Sequence, residues 1–344
     1  MKTRLAALLL AAAPALAQYE EAITVSRVLI DVRVTQSNGE AIADLTPADF
    51  DVTIGGKPVT VASAMFVEDD AAPPNTSSDK IPYVDASGQA IESPGRLFVV
   101  FIQTDFTRHY TRTKGQMKFR RYAEELVRSL AAEDRVAVFS FDSHLKFRCD
   151  FTTDKDAVAD AIEKSVLIDQ PPPPPRGSGP SLVPRLQPSA LRRATTAEKA
   201  LKLIGEALLP IDGAKTLFLI GWGLGHRTRA GTMTVMDFQW PAAFKALEAA
   251  RVTIYSLDTT EADSHDLQGG LKNAAETTGG YYASTWHLPQ AVVDRLRRTI
   301  SSGHYELELL APAQLGAGTH LVDVSVRRRG NIKILFPQMA ILED

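Results

Sequence analysis

The chain has 344 residues, 44% hydrophobic side chains and a formal net charge of −3. That is enough apolar material for a folded core and enough length for one α/β domain with a smaller attachment, while so weak an acidic balance speaks against DNA or RNA as partner. The single cysteine, Cys149, rules out an internal disulfide framework, so the fold must hold by packing.

The N-terminus reads as a signal peptide over residues 1–17. Lys2 and Arg4 give the positive region, residues 5–16 the apolar one, and Ala15-Leu16-Ala17 the small-x-small cleavage pattern. The apolar run is shorter than the roughly 20 residues that span a bilayer. No later stretch is long and apolar enough to cross a membrane, so the mature chain is expected to be secreted or periplasmic.

Residues 18–68 form a β segment. Residues 23–34 (ITVSRVLIDVRV) alternate apolar and polar, the period of a half-buried strand. Short strands follow at 50–54 and 59–67, either side of Gly55-Gly56. Residues 69–96, rich in Pro, Ser, Asn and Asp, read as a linker.

From residue 97 strands and helices alternate. Residues 97–102 (LFVVFI) are apolar throughout, as expected of a strand covered on both faces. Residues 114–130 have helical spacing, with Met117, Tyr122, Leu126 and Leu130 on one side. Strands are predicted at 135–141, 216–220, 252–257 and 281–284, with 145–151 as an antiparallel edge. Helices are predicted at 154–164, 195–208, 240–250, 267–277 and 288–300. Residues 169–190, with five consecutive prolines at 171–175, read as an exposed insertion. The tail returns to β at 305–310, 320–327 and 333–336. The fold class is therefore α/β, with a doubly wound, mostly parallel sheet over 97–302 flanked by helices. The N-terminal segment and residues 303–344 are expected to pair into a small β unit, as a sandwich.

Open sheets of this kind bind ligands at the carboxyl ends of their strands. There the sequence places Gln103, Asp105 and Thr107, then Asp142 and Ser143, then Gly221-Trp222-Gly223, then Asp258 to Thr260, with Thr195 and Thr196 opening a helix. Asp105, Asp142 and Asp258 are candidates for one hard cation, though Asp142 and Asp258 are more simply read as caps of the helix or turn that follows them. Trp222, between glycines beyond a buried strand, is either an interface anchor or packed beneath the proline-rich insertion. No HExxH, GxSxG or phosphate-loop lysine is present, which argues against an enzyme. Gly221-x-Gly223-x-Gly225 lacks the spacing of a dinucleotide loop.

The order of elements, residues 134–142 (DRVAVFSFD) and residues 247–284 with their Thr-Gly-Gly turn resemble a von Willebrand factor A domain. Residues 39–59 and 302–312 resemble exported proteins related to that family from acidobacteria. The resemblance implies a metal-ion-dependent adhesion motif, Asp-x-Ser-x-Ser, at this edge. Its first aspartate falls on Gln103, its first serine on Asp105 and its second on Thr107, while its threonine falls on Thr195 or Thr196. The family's last aspartate, at Gly221 or Trp222, is lost. Asp105, Thr107, Thr195 and Thr196 are thus the candidate ligands for Mg²⁺ or Ca²⁺, with fewer anionic oxygens than the family uses. Gln103, Asp105, Trp222 and Asp258 are the candidate partner-binding residues. The resemblance implies a binding module for a protein in the cell envelope. A structural or assembly role through the β unit and a metal-dependent enzyme are the alternatives.

Overall fold

The computed structural model describes residues 25–68, 95–104, 110–167, 179–228 and 234–342. The predicted signal peptide and residues 69–94 of the predicted linker lie outside them. The chain opens with β1 (Val25–Gln36), β2 (Phe50–Ile54) and β3 (Lys57–Val67). Next come β4 (Leu97–Gln103), α1 (Tyr110–Arg128), β5 (Arg135–Phe141), β6 (Leu145–Thr152), α2 (Lys155–Leu167), α3 (Pro188–Arg193), α4 (Ala197–Leu208) and β7 (Lys215–Gly221). They are followed by β8 (His226–Arg227), β9 (Thr234–Val235), α5 (Trp240–Ala249), β10 (Val252–Asp258), α6 (Gln268–Thr277), β11 (Tyr282–Ser284) and α7 (Pro289–Ile300). The end is β12 (His304–Pro312), β13 (Gly318–Val326), β14 (Ile332–Leu335) and β15 (Met339–Leu342).

Six strands form the α/β sheet in the order β11-β10-β7-β4-β5-β6. All pairs are parallel except β5 with β6, which is the expected antiparallel edge. β4 is central and buried at every position. Val99 and Phe101 face a core shared with α4, α5 and α6, while Phe98, Val100 and Ile102 face α1, α2 and α7. This two-sided cover is why residues 97–102 carry no polar alternation. From β4 the order runs one way to β5 and the other way to β7. The switch point lies between the carboxyl ends of β4 and β7.

Several details differ from the sequence reading. Met117 is exposed, and the buried face of α1 is Phe119, Ala123, Leu126 and Val127. The described part of the predicted insertion is not exposed throughout, because Leu182 and Leu186 sit in the core. The carboxylate of Asp150 on β6 fastens it, accepting from Leu182 N–H (2.9 Å) and the Ser181 hydroxyl. Residues 169–178, including all five consecutive prolines, lie outside the described residues. Finally, β15 was not anticipated; its four residues are too few to show a period.

The two ends of the chain do pair, as one seven-stranded sheet in the order β14-β1-β12-β3-β2-β13-β15 rather than as two packed sheets. Val28, Ile30, Val32 and Val34 alternate inward from β1 to meet Tyr305, Leu307 and Leu309 of β12. The Tyr305 hydroxyl, fully buried, accepts from Leu45 N–H (2.9 Å) and donates to Ile42 O (2.8 Å), so it anchors the connection between β1 and β2. No helix among the described residues is long and apolar enough to cross a membrane.

The β unit meets the α/β unit at the amino ends of the parallel strands, away from the switch point. Arg33 of β1 donates to Thr299 O (3.2 Å) and Gly303 O (2.9 Å) beyond α7. Arg251, just before β10, pairs with Asp31 (2.5 Å) and Glu306. It is the one non-glycine residue among those described with positive φ, +52°. Beside it Lys215 is buried, its ammonium donating to Ile211 O and to Ala250 O (3.0 Å). Burial, with the neighbouring Arg251 charge, pushes the Lys215 amine down to about 8 from an ordinary value of 10.5. Across that interval the unfolded chain holds a proton that the folded chain has lost, so stability rises with pH through it. We expect wild type to gain about 2 kcal/mol on a Lys215→Met variant between pH 8 and 10. Urea unfolding at several pH values checks this; a constant difference would refute it.

Candidate functional site

At the switch point the sequence puts an amide where the resembled motif has a carboxylate, and the structure shows what the amide does. Gln103, at the end of β4, is 2% exposed. Its Nε2 donates to Gly223 O (2.8 Å), and its Oε1 accepts from Trp222 N–H (3.0 Å) and Gly223 N–H (3.2 Å). A carboxylate could not do this, having no proton for the Gly223 carbonyl. One neutral side chain thus ties the loop after β7 to the central strand. Gly221 belongs to the same arrangement, since a Cβ there would lie 2.2 Å from Gln103 Oε1.

Neighbouring groups complete the stitching. Gln116 of α1 donates to Gln103 O (2.7 Å). Glu198 of α4, buried, accepts from Gly225 N–H (2.7 Å). Thr259 N–H donates to Gly221 O (2.8 Å). A Cβ on Gly115 would strike Thr259 O, so α1 packs directly on the backbone of the loop after β10. None of Gln116, Glu198 and Gly115 was singled out in the sequence. A glycine and a glutamine inside an otherwise ordinary helix were the available signal.

Asp258, expected at the partner-binding edge, is instead 1% exposed. Its Oδ1 accepts from Thr260 N–H (2.9 Å), and its Oδ2 accepts from the Tyr282 hydroxyl (2.7 Å) and lies 2.6 Å from His265 Nε2. Burial opposes ionisation, but His265, Thr260 N–H and Tyr282 outweigh it and hold the carboxyl below its ordinary range. The other His265 nitrogen, Nδ1, accepts from Leu267 N–H (3.3 Å), which makes Nε2 the donor to Asp258. Both ring nitrogens are therefore engaged, and the pair offers no general base. Asp142 is likewise used internally, by Lys146 (2.7 Å) and by its own turn at Ser143.

Of the other candidates, Asp105 and Thr107 lie outside the described residues. Thr196 Oγ1 caps α4 by accepting from Lys199 N–H (3.2 Å), and Thr195 is exposed just before it. Trp222 is half-buried, with the Arg112 guanidinium stacked 4.0 Å over its ring. The described residues bring Gln103 and Trp222 together and turn Asp258 inward. Among the described residues, the Gln103 oxygen and the carboxylates of Asp142 and Asp258 are already engaged within the protein. A second group, Asp31, His304 and Glu306, brings potential ligand atoms within 4.8 Å of one another at the opposite end of the sheet. The Arg251 guanidinium already serves as its cation.

The element order and the six-stranded sheet agree with the resemblance seen in the sequence. The chain is similar in fold to von Willebrand factor A domains. The von Willebrand factor type A protein from Catenulispora acidiphila is 10% identical, over 94% of this chain and 74% of its own, with a TM-score of 0.41. Proximal thread matrix protein 1 from the mussel byssus, in the structure with a zinc-occupied MIDAS motif, is 12% identical, over 63% of this chain and 48% of its own, with a TM-score of 0.42. The vWF domain of the type V pili tip protein Mfa5 from Porphyromonas gingivalis is 14% identical, over 61% of this chain and 96% of its own, with a TM-score of 0.35. This chain thus spans about half the length of the mussel protein. No protein-family model and no curated protein matches the chain. The likeness to von Willebrand factor A structures is one of fold and says nothing of ligand or partner.

Proposed function

We propose that this is an exported protein-binding module of the von Willebrand factor A type, which engages a protein partner in the cell envelope through the carboxyl edge of its sheet and needs no metal ion to do so. The Gln103 carboxamide carries the reading. It makes by direct hydrogen bonds the link between β4 and the Trp222 loop, and it leaves no charge at the first motif position. The same bonds fix the backbone of the Trp222 loop at this edge, where the half-buried indole and the Arg112 guanidinium over it meet an incoming chain. The module acts by binding, not catalysis: among the described residues the buried Asp258–His265 pair at this edge has both ring nitrogens engaged.

Isothermal titration of the mature protein with Mg²⁺, Ca²⁺ and Mn²⁺ tests the metal independence. The expected result is no saturable heat and no thermal shift at millimolar ion. Saturable binding that Asp105→Ala abolishes would overturn it. An assembly role through the β unit is the second reading, favoured by the exposed Leu29, Met65 and Leu321 on its strands. In that case Leu321→Glu, and not Trp222→Ala, would abolish association with the partner.

A further inference from the structure

We propose that the carboxyl edge recognises a protein segment in which carboxylates flank a bulky apolar side chain. This rests on the edge being the binding surface, and it names the chemistry of what binds there.

The surface is built from two neighbouring pieces. α1 starts at the edge, and Tyr110, Lys114, Met117, Lys118 and Arg121 fall on one stripe by their spacing of three and four residues. Tyr110 is 73% exposed and Met117 44%. The turn between β11 and α7 adds Trp286, whose ring lies against that of His287, and Leu288, 69% exposed. Lys118 Nζ donates to Trp286 O (3.0 Å) and joins the two pieces. Large apolar side chains are thus turned outward on a surface whose core-facing side is already filled.

The charges on the surface are not balanced in the same way. Of the acidic groups around it, Glu261 holds Lys114 (2.9 Å), Asp263 hydrogen-bonds His287 Nε2 (3.0 Å) and Glu125 accepts from Gln290 (3.0 Å). Asp258 and Asp142 are spent inside the edge. Lys118 rests on a carbonyl oxygen, and Arg121 on the ring and hydroxyl of Tyr122. Those are neutral partners, and a carboxylate brought to either cation makes a stronger, charge-assisted bond. Two cations set beside exposed Tyr110, Met117 and Leu288 select a ligand with both properties. A purely acidic one would leave the apolar surface wet, and a purely apolar one would leave both cations on neutral groups. An anionic membrane would also press its headgroups on Glu261 and Asp263, whereas a peptide can place its carboxylates at Lys118 and Arg121 alone.

The test is to pan a library of random twelve-residue displayed peptides on the purified mature protein. Enriched peptides, fluorescein-labelled, are then titrated by anisotropy against wild type, Lys118→Glu/Arg121→Glu and Tyr110→Ala/Leu288→Ala. All four positions are at the surface, and circular dichroism verifies each fold. The expected result is a consensus of acidic residues around an aromatic or aliphatic one, with affinity about tenfold lower in each double variant. A basic or uncharged consensus that still depends on Tyr110 and Leu288 would overturn the partner's chemistry and leave the edge as binding surface. A consensus indifferent to the edge variants but lost in Met65→Glu/Leu321→Glu would overturn both readings. No enrichment would overturn the inference, as would co-sedimentation with phosphatidylglycerol vesicles that the charge-reversed variant loses.

Discussion

Gln103→Leu is expected to lower the unfolding free energy by about 3 kcal/mol, although leucine nearly matches glutamine in volume. The substitution removes three hydrogen bonds at once and strands Gly223 O, Gly223 N–H and Trp222 N–H. Each stranded buried group costs roughly 1–3 kcal/mol, less where water reaches the loop. Gln103→Glu separates acceptor from donor. An ionised carboxylate keeps the two N–H bonds but sets its other oxygen against the Gly223 carbonyl. The folded protein then prefers the protonated acid, which donates as the amide did. Its folded pKa lies above the unfolded one, so its stability is complete below the unfolded pKa and is lost as pH rises through the folded value. Denaturant unfolding at pH 4 and pH 7 should find Gln103→Glu close to wild type in acid and well below it at neutrality. Equal loss at both pH values would remove the donor bond from the account.

Arg251→Ala should cost more, about 3–5 kcal/mol, because it leaves Asp31 and Glu306 facing each other without their shared cation. Arg251 also holds φ at +52°, where a Cβ is unfavourable. Arg251→Gly loses the same guanidinium but relieves the backbone, so it should be about 1 kcal/mol more stable than Arg251→Ala. Urea unfolding of the two variants separates the ion pair from the strain. If the two are equally stable, the turn carries no strain; if neither falls below wild type, the pairing does not hold the units together.

Much of the architecture was legible in the sequence because burial writes itself there as periodicity. The unbroken apolar run of β4, the alternation of β1 and the helix-length gaps between strands each have one economical reading. Met117 was misplaced because, nine residues from Leu126, it falls on the opposite side of the helix from Phe119, Ala123 and Leu126. Leu182 and Leu186 escaped because prolines around them speak for loop, and only the Asp150 carboxylate across the sheet edge explains their position. At the sheet edge the sequence put Gln103 and Trp222 after neighbouring strands but did not show how they meet. Gln103 could be aligned to the motif's first aspartate, yet that its amide would close on Gly223 depends on where the β7 loop lies. Asp258 looked like a surface ligand because its partners, His265 and Tyr282, are seven and 24 residues away. No local pattern announces such a meeting.

The pairing of β1 has a consequence for how the molecule is made. Both of its neighbours, β12 and β14, come from the last stretch of the chain, so the first strand to emerge is among the last to be closed. The helix-covered sheet is complete by α7 and can assemble from strands close in sequence, whereas β1 must wait across a long loop. A chain cut short before residue 304 would keep the carboxyl edge of its α/β sheet and yet expose both margins of β1, a template for pairing with other chains. Expression of such a fragment should end in aggregates, not in a smaller folded protein.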